Sequence, residues 1–306
     1  MVKEKSQKAD NDIYISTTVE DIFNYLDKNF SKADLHVHSD YSDSVASVEE
    51  ILEHVQNKTD LSIIAITDHD TIAGALKAKR IAEEKHYRFD VIVGEEISTK
   101  EGHVIGLFLK EKVTEGISAH DAIIEIHRQG GLAISAHPFF ISRFNDKLDE
   151  PIAKGIGAAT LIHEKHNIDA IEVVNGTPVF NRSNFKSRYF NRLLMFKAEV
   201  GGSDAHILEG IGKGYTLFEG KSVADLKRAI RKRETQAYRS RWDPIELLKY
   251  AYSFLPHFAR IAFFTMLLGP KPKEPKIINF PSRIKIKRET PNEQNSQEDT
   301  SYHPSR

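Results

Sequence analysis

Two histidines two residues apart open the chemistry of this chain. In Ala33–Ser44, ADLHVHSDYSDS, the run Asp34-Leu35-His36-Val37-His38 alternates polar and apolar side chains, as a strand half buried in a core would. A side-chain period of two puts His36 and His38 on one face, where paired imidazoles make a clamp for a metal ion. Asp40 and Asp43 follow within one short loop, close enough to add a carboxylate. A strand that happens to carry two exposed histidines would look the same. What argues against that plainer reading is recurrence of the same chemistry downstream.

The recurrence falls at the ends of apolar runs. Of His36, His38, Asp43, Asp68, His69, Asp70, Glu96, His137, Asp204 and His206, nearly all come just after such a run, and His103 comes just before one. Gathered unpaired in one cleft, so many imidazoles and carboxylates would cost several kcal/mol in repulsion and desolvation. Bound divalent cations resolve that conflict. The sequence has no cysteine, which removes thiolate sites, disulfides and cysteine nucleophiles. Mixed imidazole and carboxylate ligation then suits manganese, zinc or iron.

The elements that must position these groups are strands alternating with helices. Leu61–Thr67 is a continuous apolar run that predicts a buried parallel strand, and Phe89–Val93, His103–Leu109, Leu132–Ser135, Ala170–Val174, Ala198–Val200 and Tyr215–Phe218 predict further strands. Helices are expected from the Ser47 capping box through Val55, from the 68–71 turn to Glu84, and over Ser118–Gln129, Ile152–His166, Asn184–Phe196 and Ser222–Lys232. Such alternation means βαβ units and a parallel sheet. Polar groups collected at strand ends favour a closed barrel, whose chemistry sits at the carboxyl ends of the strands.

Composition bounds the rest. The 306 residues are 40% hydrophobic and 28% charged with a net charge of −1, so a large core is affordable and no global basic field draws nucleic acid. Residues 1–30 read as a polar tail and a short amphipathic helix from Val19, and 31–241 as the catalytic domain. The first residues, MVKEKSQKADND, have no signal-peptide core, so the cytoplasm is the expected residence. Residues 242–270 open with Asp243 as N-cap and Pro244 at the first helical position, then become apolar and aromatic. Residues 271–306 are basic and then polar, a composition that predicts disorder. The 242–288 stretch is read as packing on the barrel or across a homodimer, or as a peripheral membrane contact.

The motifs DLHVHSDYSDS, TDHDT, GEEIS with HVIGL, AHPF, IEVVNG and GGSDAH, in that order over residues 31–240, resemble the polymerase and histidinol phosphatase (PHP) family of metal-dependent phosphoesterases. The resemblance implies a distorted seven-stranded (β/α) barrel with a trinuclear metal cluster at its mouth, so two to three divalent ions per chain are expected. Carried over by motif, His36, His38 and Asp204 would hold one metal. Glu96, His103 and His137 would hold a second, with Glu96 bridging to the first, and Asp43, His69 and His206 a third. The family's Gly-x-Glu spacing selects Glu96 over Glu95. Asp68 and Asp70 fall outside that set; they would orient imidazoles or move a proton, or else pack at the helix start.

One branch of the family, resembling its ribonuclease and nucleotide phosphatase members, carries a helical insertion where this chain has only Lys110–Leu132. Any cover over the site is therefore expected from Phe139–Glu150 or Thr177–Arg188, where Arg143 and Arg182 are candidates to clamp a phosphate. The expected activity is hydrolysis of small phosphomonoesters or nucleotides by a metal-bound hydroxide, since divalent ions lower the pKa of water from about 15.7 to around 7. A 5′–3′ exonuclease that trims oligonucleotides is the alternative, disfavoured by the lack of a basic face though the basic tail argues for it, and a non-catalytic metal-binding module is another.

Overall fold

The structure is a computed structural model that describes residues 29–141 and 154–252. The expected helix from Val19, Arg143 and the tail beyond residue 252 lie outside the described residues, and Phe30 already belongs to a strand. Among the described residues nine strands form one sheet in the order β7-β6-β5-β4-β3-β2-β1-β8-β9. They are β1 (Phe30–Val37), β2 (Ile63–Ile66), β3 (Asp90–Ser98), β4 (His103–Leu107), β5 (Leu132–Ser135), β6 (Ala170–Asn175), β7 (Ala198–Gly202), β8 (Gly214–Glu219) and β9 (Gln236–Arg239). The connecting helices are α1 (Val48–Lys58), α2 (Ala73–Glu84), α3 (Ala119–Arg128), α4 (Gly157–His163), α5 (Asn181–Phe190) and α6 (Val223–Lys232).

The sheet curls until β7 reaches β1. At the end that carries the histidines, the Asp204 amide donates to the His36 carbonyl (2.8 Å) and the His38 amide to the Ala205 carbonyl (3.1 Å). The β8–β9 hairpin fills the seam, with the Gly201 amide donating to Thr216 Oγ1 at 2.9 Å. Seven strands with this closure give the barrel expected, and the hairpin accounts for the two extra strands.

The sheet is not all parallel. β4 runs antiparallel to both β3 and β5. The cause is the four-residue link 99–102 between β3 and β4, long enough for a hairpin turn and far too short for the crossover that parallel strands need. The reversal is functional. It puts the first residue of β4, His103, at the same end as the last residues of its parallel neighbours. β3 also runs past the expected Val93 to Ser98, so Glu95 and Glu96 lie within a strand and face opposite sides of it.

Two apolar clusters hold this arrangement. Leu35, Ile63, Ala65, Ile105, Ile134, Val200 and Phe218 fill the barrel, and Leu226, Ala229 and Ile230 of α6 join them from the floor, where Lys227 donates to the Gly130 carbonyl. Ile64, Ile66, Val91 and Val93 pack outward against α1, α2 and α3. Helix α1 buries Val48, Ile51, Leu52 and Val55, an i, i+3, i+4, i+7 stripe, and starts at the Ser47–Glu50 capping box. The expected helix over 152–166 is shorter in the described residues, spanning only Gly157–His163, and the one over 184–196 starts earlier and ends in a π-turn, Asn191–Met195. Among the described residues no helix is long and apolar enough to cross a membrane.

Candidate metal centre

Seven chain segments deliver side chains to the barrel mouth. The β1–β2 register slips between Asp34 and Val37, an irregularity that re-aims the end of β1, where His36 and His38 are buried. Asp204 and His206 follow β7, His69 follows β2, His137 follows β5, and Asp43 reaches back from the loop after β1. Glu96 and His103 come from the β3–β4 pair. All nine residues expected to bind metal are thus brought to one place.

Glu96 is the hinge of the arrangement. Its Oε1 lies 2.9 Å from His103 Nδ1 and 3.0 Å from His137 Nε2. Its Oε2 lies 3.0 Å from His36 Nε2, 3.2 Å from His38 Nε2 and 3.5 Å from His69 Nδ1. Asp204 Oδ1 stands 3.2 Å from His38 Nε2 and 3.5 Å from His36 Nε2. Farther out, Asp43 Oδ2 lies 3.0 Å from His206 Nε2 and 3.7 Å from His69 Nε2. Among the described residues three donor sets result, each with ligand atoms within 4.8 Å of one another: His36, His38, Glu96 and Asp204; His69, Glu96 and His103; and His38, Asp43, His69 and His206. Glu96, His38 and His69 each belong to two of them. The first set is buried and the last opens to solvent, with the Asp43 side chain 44% exposed.

This donor set fits divalent cations. His36 Nε2 and His38 Nε2 face each other at 3.1 Å, and two ligands each about 2.1 Å from one ion sit at about that separation. Among the described residues, His38 Nδ1 and His137 Nδ1 are buried with no hydrogen-bond partner. His137 and Asp204 also hold positive φ, 26° and 53°, a conformation that costs a non-glycine residue energy and collects at functional sites.

Without an ion, the electrostatics is that of a site held together by opposite charge. Burial opposes protonation of His38, but hydrogen bonds to Asp204 and Glu96 and the Asp43 charge outweigh it and raise its pKa to about 10. His36 is likewise held well above its ordinary value, against burial, by Asp204, Glu96 and Glu172. Burial would lift Glu96 and Asp204, yet the surrounding imidazoles hold both well below the usual carboxylate range. For His69 burial wins, and its pKa falls to about 4.

The remaining candidates separate. Asp68 gives its carboxylate to Ser39 (amide 2.6 Å, hydroxyl 2.7 Å) and Ser42 (2.9 Å), and Asp70 accepts from the Ser98 amide at 2.7 Å. Neither meets an imidazole among the described residues. They pin the 39–42 turn and the end of β3. Arg182 lies in the first turn of α5 and is exposed. Glu95 faces away from the cluster, accepts from the Val113 amide at 2.8 Å, and is pushed by burial to about 7.

Two residues that sequence reasoning passed over sit directly behind the cluster. Glu172 is buried in β6 with Oε1 3.0 Å from His36 Nδ1 and Oε2 accepting from the His137 amide at 2.8 Å. It fixes the His36 tautomer so that Nε2 faces Glu96 and Asp204. Asn175 Nδ2 donates to Asp204 Oδ2 at 2.9 Å. A glutamate inside the apolar strand of IEVVNG was the available signal, since a buried carboxylate needs a partner.

Comparison with known proteins bears on the family and the fold. A PHP-associated family model matches residues 181–235, a segment that includes Asp204 and His206. The uncharacterised protein MJ1587 of Methanocaldococcus jannaschii is 38% identical over 155 residues, 47% of this chain and 81% of that protein. A 5′-3′ exoribonuclease of Haemophilus influenzae is 42% identical over 80 residues, 25% of this chain and 28% of the exoribonuclease. Among solved structures, a two-domain protein from Bacteroides vulgatus containing a predicted PHP-like metal-dependent phosphoesterase superposes with a TM-score of 0.54 at 21% identity, over 69% of this chain and 65% of that one. That similarity speaks for the barrel fold. With its motifs, its barrel and these relatives, the chain belongs to the PHP family.

Proposed function

We propose that the protein is a metal-dependent phosphoesterase that hydrolyses small phosphomonoesters or nucleotides, with two to three manganese, zinc or iron ions held by His36, His38, Asp43, His69, Glu96, His103, His137, Asp204 and His206. The observation that carries this reading is the sharing of Glu96, His38 and His69 between donor sets, because adjoining sets with common ligands suit a multinuclear cluster. Such ions supply Lewis-acid charge to phosphate oxygens and lower the pKa of water. Glu172 and Asn175 hold His36 and Asp204 in position, and the open side at Asp43, His69 and His206 admits the ester. Arg182 is proposed to contact the phosphate. Arg182→Ala should raise KM or lower turnover by roughly tenfold or more, the scale of one charge-assisted bond.

The nuclease reading has one specific support, the 80-residue likeness to the exoribonuclease. A side-by-side assay of nitrophenyl phosphate, nucleoside monophosphates, a phosphodiester and a 5′-phosphorylated oligonucleotide separates the two. The monoesters should be turned over fastest. A hundredfold preference for the oligonucleotide would replace the small-substrate reading with the nuclease.

A further inference from the structure

Helix α5 and the π-turn that follows it pack on the barrel the wrong way round for a water-facing element. Ser183, Ser187, Asn191 and Met195 turn inward, and among the described residues the buried hydroxyls of Ser183 and Ser187 have no hydrogen-bond partner. The outer face carries Phe185, Tyr189, Leu193 and Phe196, each more than half exposed. The Phe185 and Tyr189 rings lie nearly parallel along it, with centroids 6.1 Å apart. Phe196 ends the stripe at a φ of 55°, a left-handed position that glycine would fill at lower cost. Folding rewards none of these four exposures, and an apolar stripe of this size marks a contact made outside the chain.

The charge on the stripe says what covers it. From Asn181 to Lys197 the chain has five cations, Arg182, Lys186, Arg188, Arg192 and Lys197, and no acid. Arg188 and Arg192 turn back to Glu199, while Lys186 is exposed and makes no ion pair among the described residues. Lys165 reaches over the Phe196 ring, with Nζ 5.6 Å from its centroid. A second copy of the chain would set these cations against themselves across a two-fold axis. Anionic headgroups above a hydrocarbon layer satisfy the cations and the apolar side chains together.

The same chemistry recurs in a helix over 244–252, capped by Asp243 Oδ1, which accepts from the amides of Ile245 and Glu246, both at 2.8 Å. Trp242 Nε1 donates to the Gly176 carbonyl at 2.8 Å and Arg239 donates to the Asn181 side chain, so this helix starts beside the start of α5. Lys213 pairs with Glu246 at 2.5 Å and Lys249 with Glu209 at 2.6 Å, which leaves Ile245, Leu248 and Tyr252 facing solvent. The sequence continues through 253–268, where Arg260 is the one Lys, Arg, Asp or Glu, and 271–288 holds seven Lys or Arg against one Glu. The apolar stretch is shorter than the about twenty residues that a span needs, so its composition favours adsorption over crossing. We propose that the α5 face, with the 245–252 face and the chain beyond it, docks the protein on an anionic lipid surface.

Flotation of the full chain with vesicles is the test. The parent should float with phosphatidylcholine vesicles that contain roughly a third phosphatidylglycerol, stay behind with phosphatidylcholine alone, and lose most binding in about 0.5 M salt. Phe185→Ser combined with Leu193→Ser should weaken binding roughly tenfold or more, and Lys186→Glu should weaken it as well. All three side chains are exposed, so metal content and thermal midpoint should match the parent. A parent that ignores anionic vesicles would overturn the proposal, and so would variants that bind them as the parent does. A parent dimer that the double variant splits, with no vesicle binding, would make the face an interface between copies. Retention on a single-stranded oligonucleotide without vesicle binding would make it a nucleic-acid surface. Either of these results overturns the lipid assignment.

Discussion

Glu96 and Glu95 are neighbours in sequence with opposite fates, and they give the sharpest test at the residue scale. Glu96 meets five imidazoles through its two oxygens, while Glu95 meets the Val113 amide on the other face of β3. Glu96→Gln should lose metal and hydrolysis together, because a neutral amide is a far weaker metal ligand than the carboxylate shared by two donor sets, and Glu95→Gln should keep most of both. Equal effects would mean the wrong glutamate has been assigned. Protonation gives a second test. In the metal-free protein His38 is held up to about 10 and so carries a proton at neutral pH, which a metal ion must displace. Metal uptake should therefore release protons, and apparent affinity should climb from pH 6 to pH 8. Calorimetry in buffers of different ionisation enthalpy reads this directly; affinity that falls with pH would contradict it. Much of the site was legible in sequence because the histidines and acids cluster at the edges of apolar runs. Glu172 was not, since its partner His36 lies 136 positions away.

Elements decide how closely the strands can bring those residues together. β7 meets the end of β1 at Gly202, where an added Cβ would run into the His36 side chain and come within 3.0 Å of Glu172 Oε1. Gly202→Ala should cost about 1–3 kcal/mol by overpacking and weaken metal binding as well, as read by thermal unfolding and metal content. Ser47→Ala removes only the α1 cap, so about 1 kcal/mol of stability should go while metal content holds. Matching metal loss in both variants would show that Gly202 acts through global stability alone. The alternation of strands and helices, and the Ser47 capping box, could be read from the sequence because they depend on local pattern. The antiparallel β4 depended on a loop length, the four residues between Ser98 and His103, which apolar runs alone do not weigh. The slip in β1 left no local signal.

At the scale of the whole molecule, the barrel is closed by the same residues that form its site. The His36 carbonyl accepts from the Asp204 amide, and the His38 amide donates to the Ala205 carbonyl, so closure and clustering are one event. The helix over 244–252 then rests on that closed mouth through Trp242, Glu246 and Lys249, a placement set by contacts far apart in sequence and therefore invisible to periodicity. The central claim is that the clustered donors hold metals that hydrolyse a phosphate ester. The direct measurement is phosphate release from nitrophenyl phosphate by chelator-stripped protein as manganese is titrated back, with metal content measured alongside. Activity should be negligible at the start and saturate with two to three ions per chain, and His36→Ala and Asp204→Ala should abolish both uptake and turnover. Undiminished hydrolysis by the stripped protein, or none at full occupancy, would contradict the account.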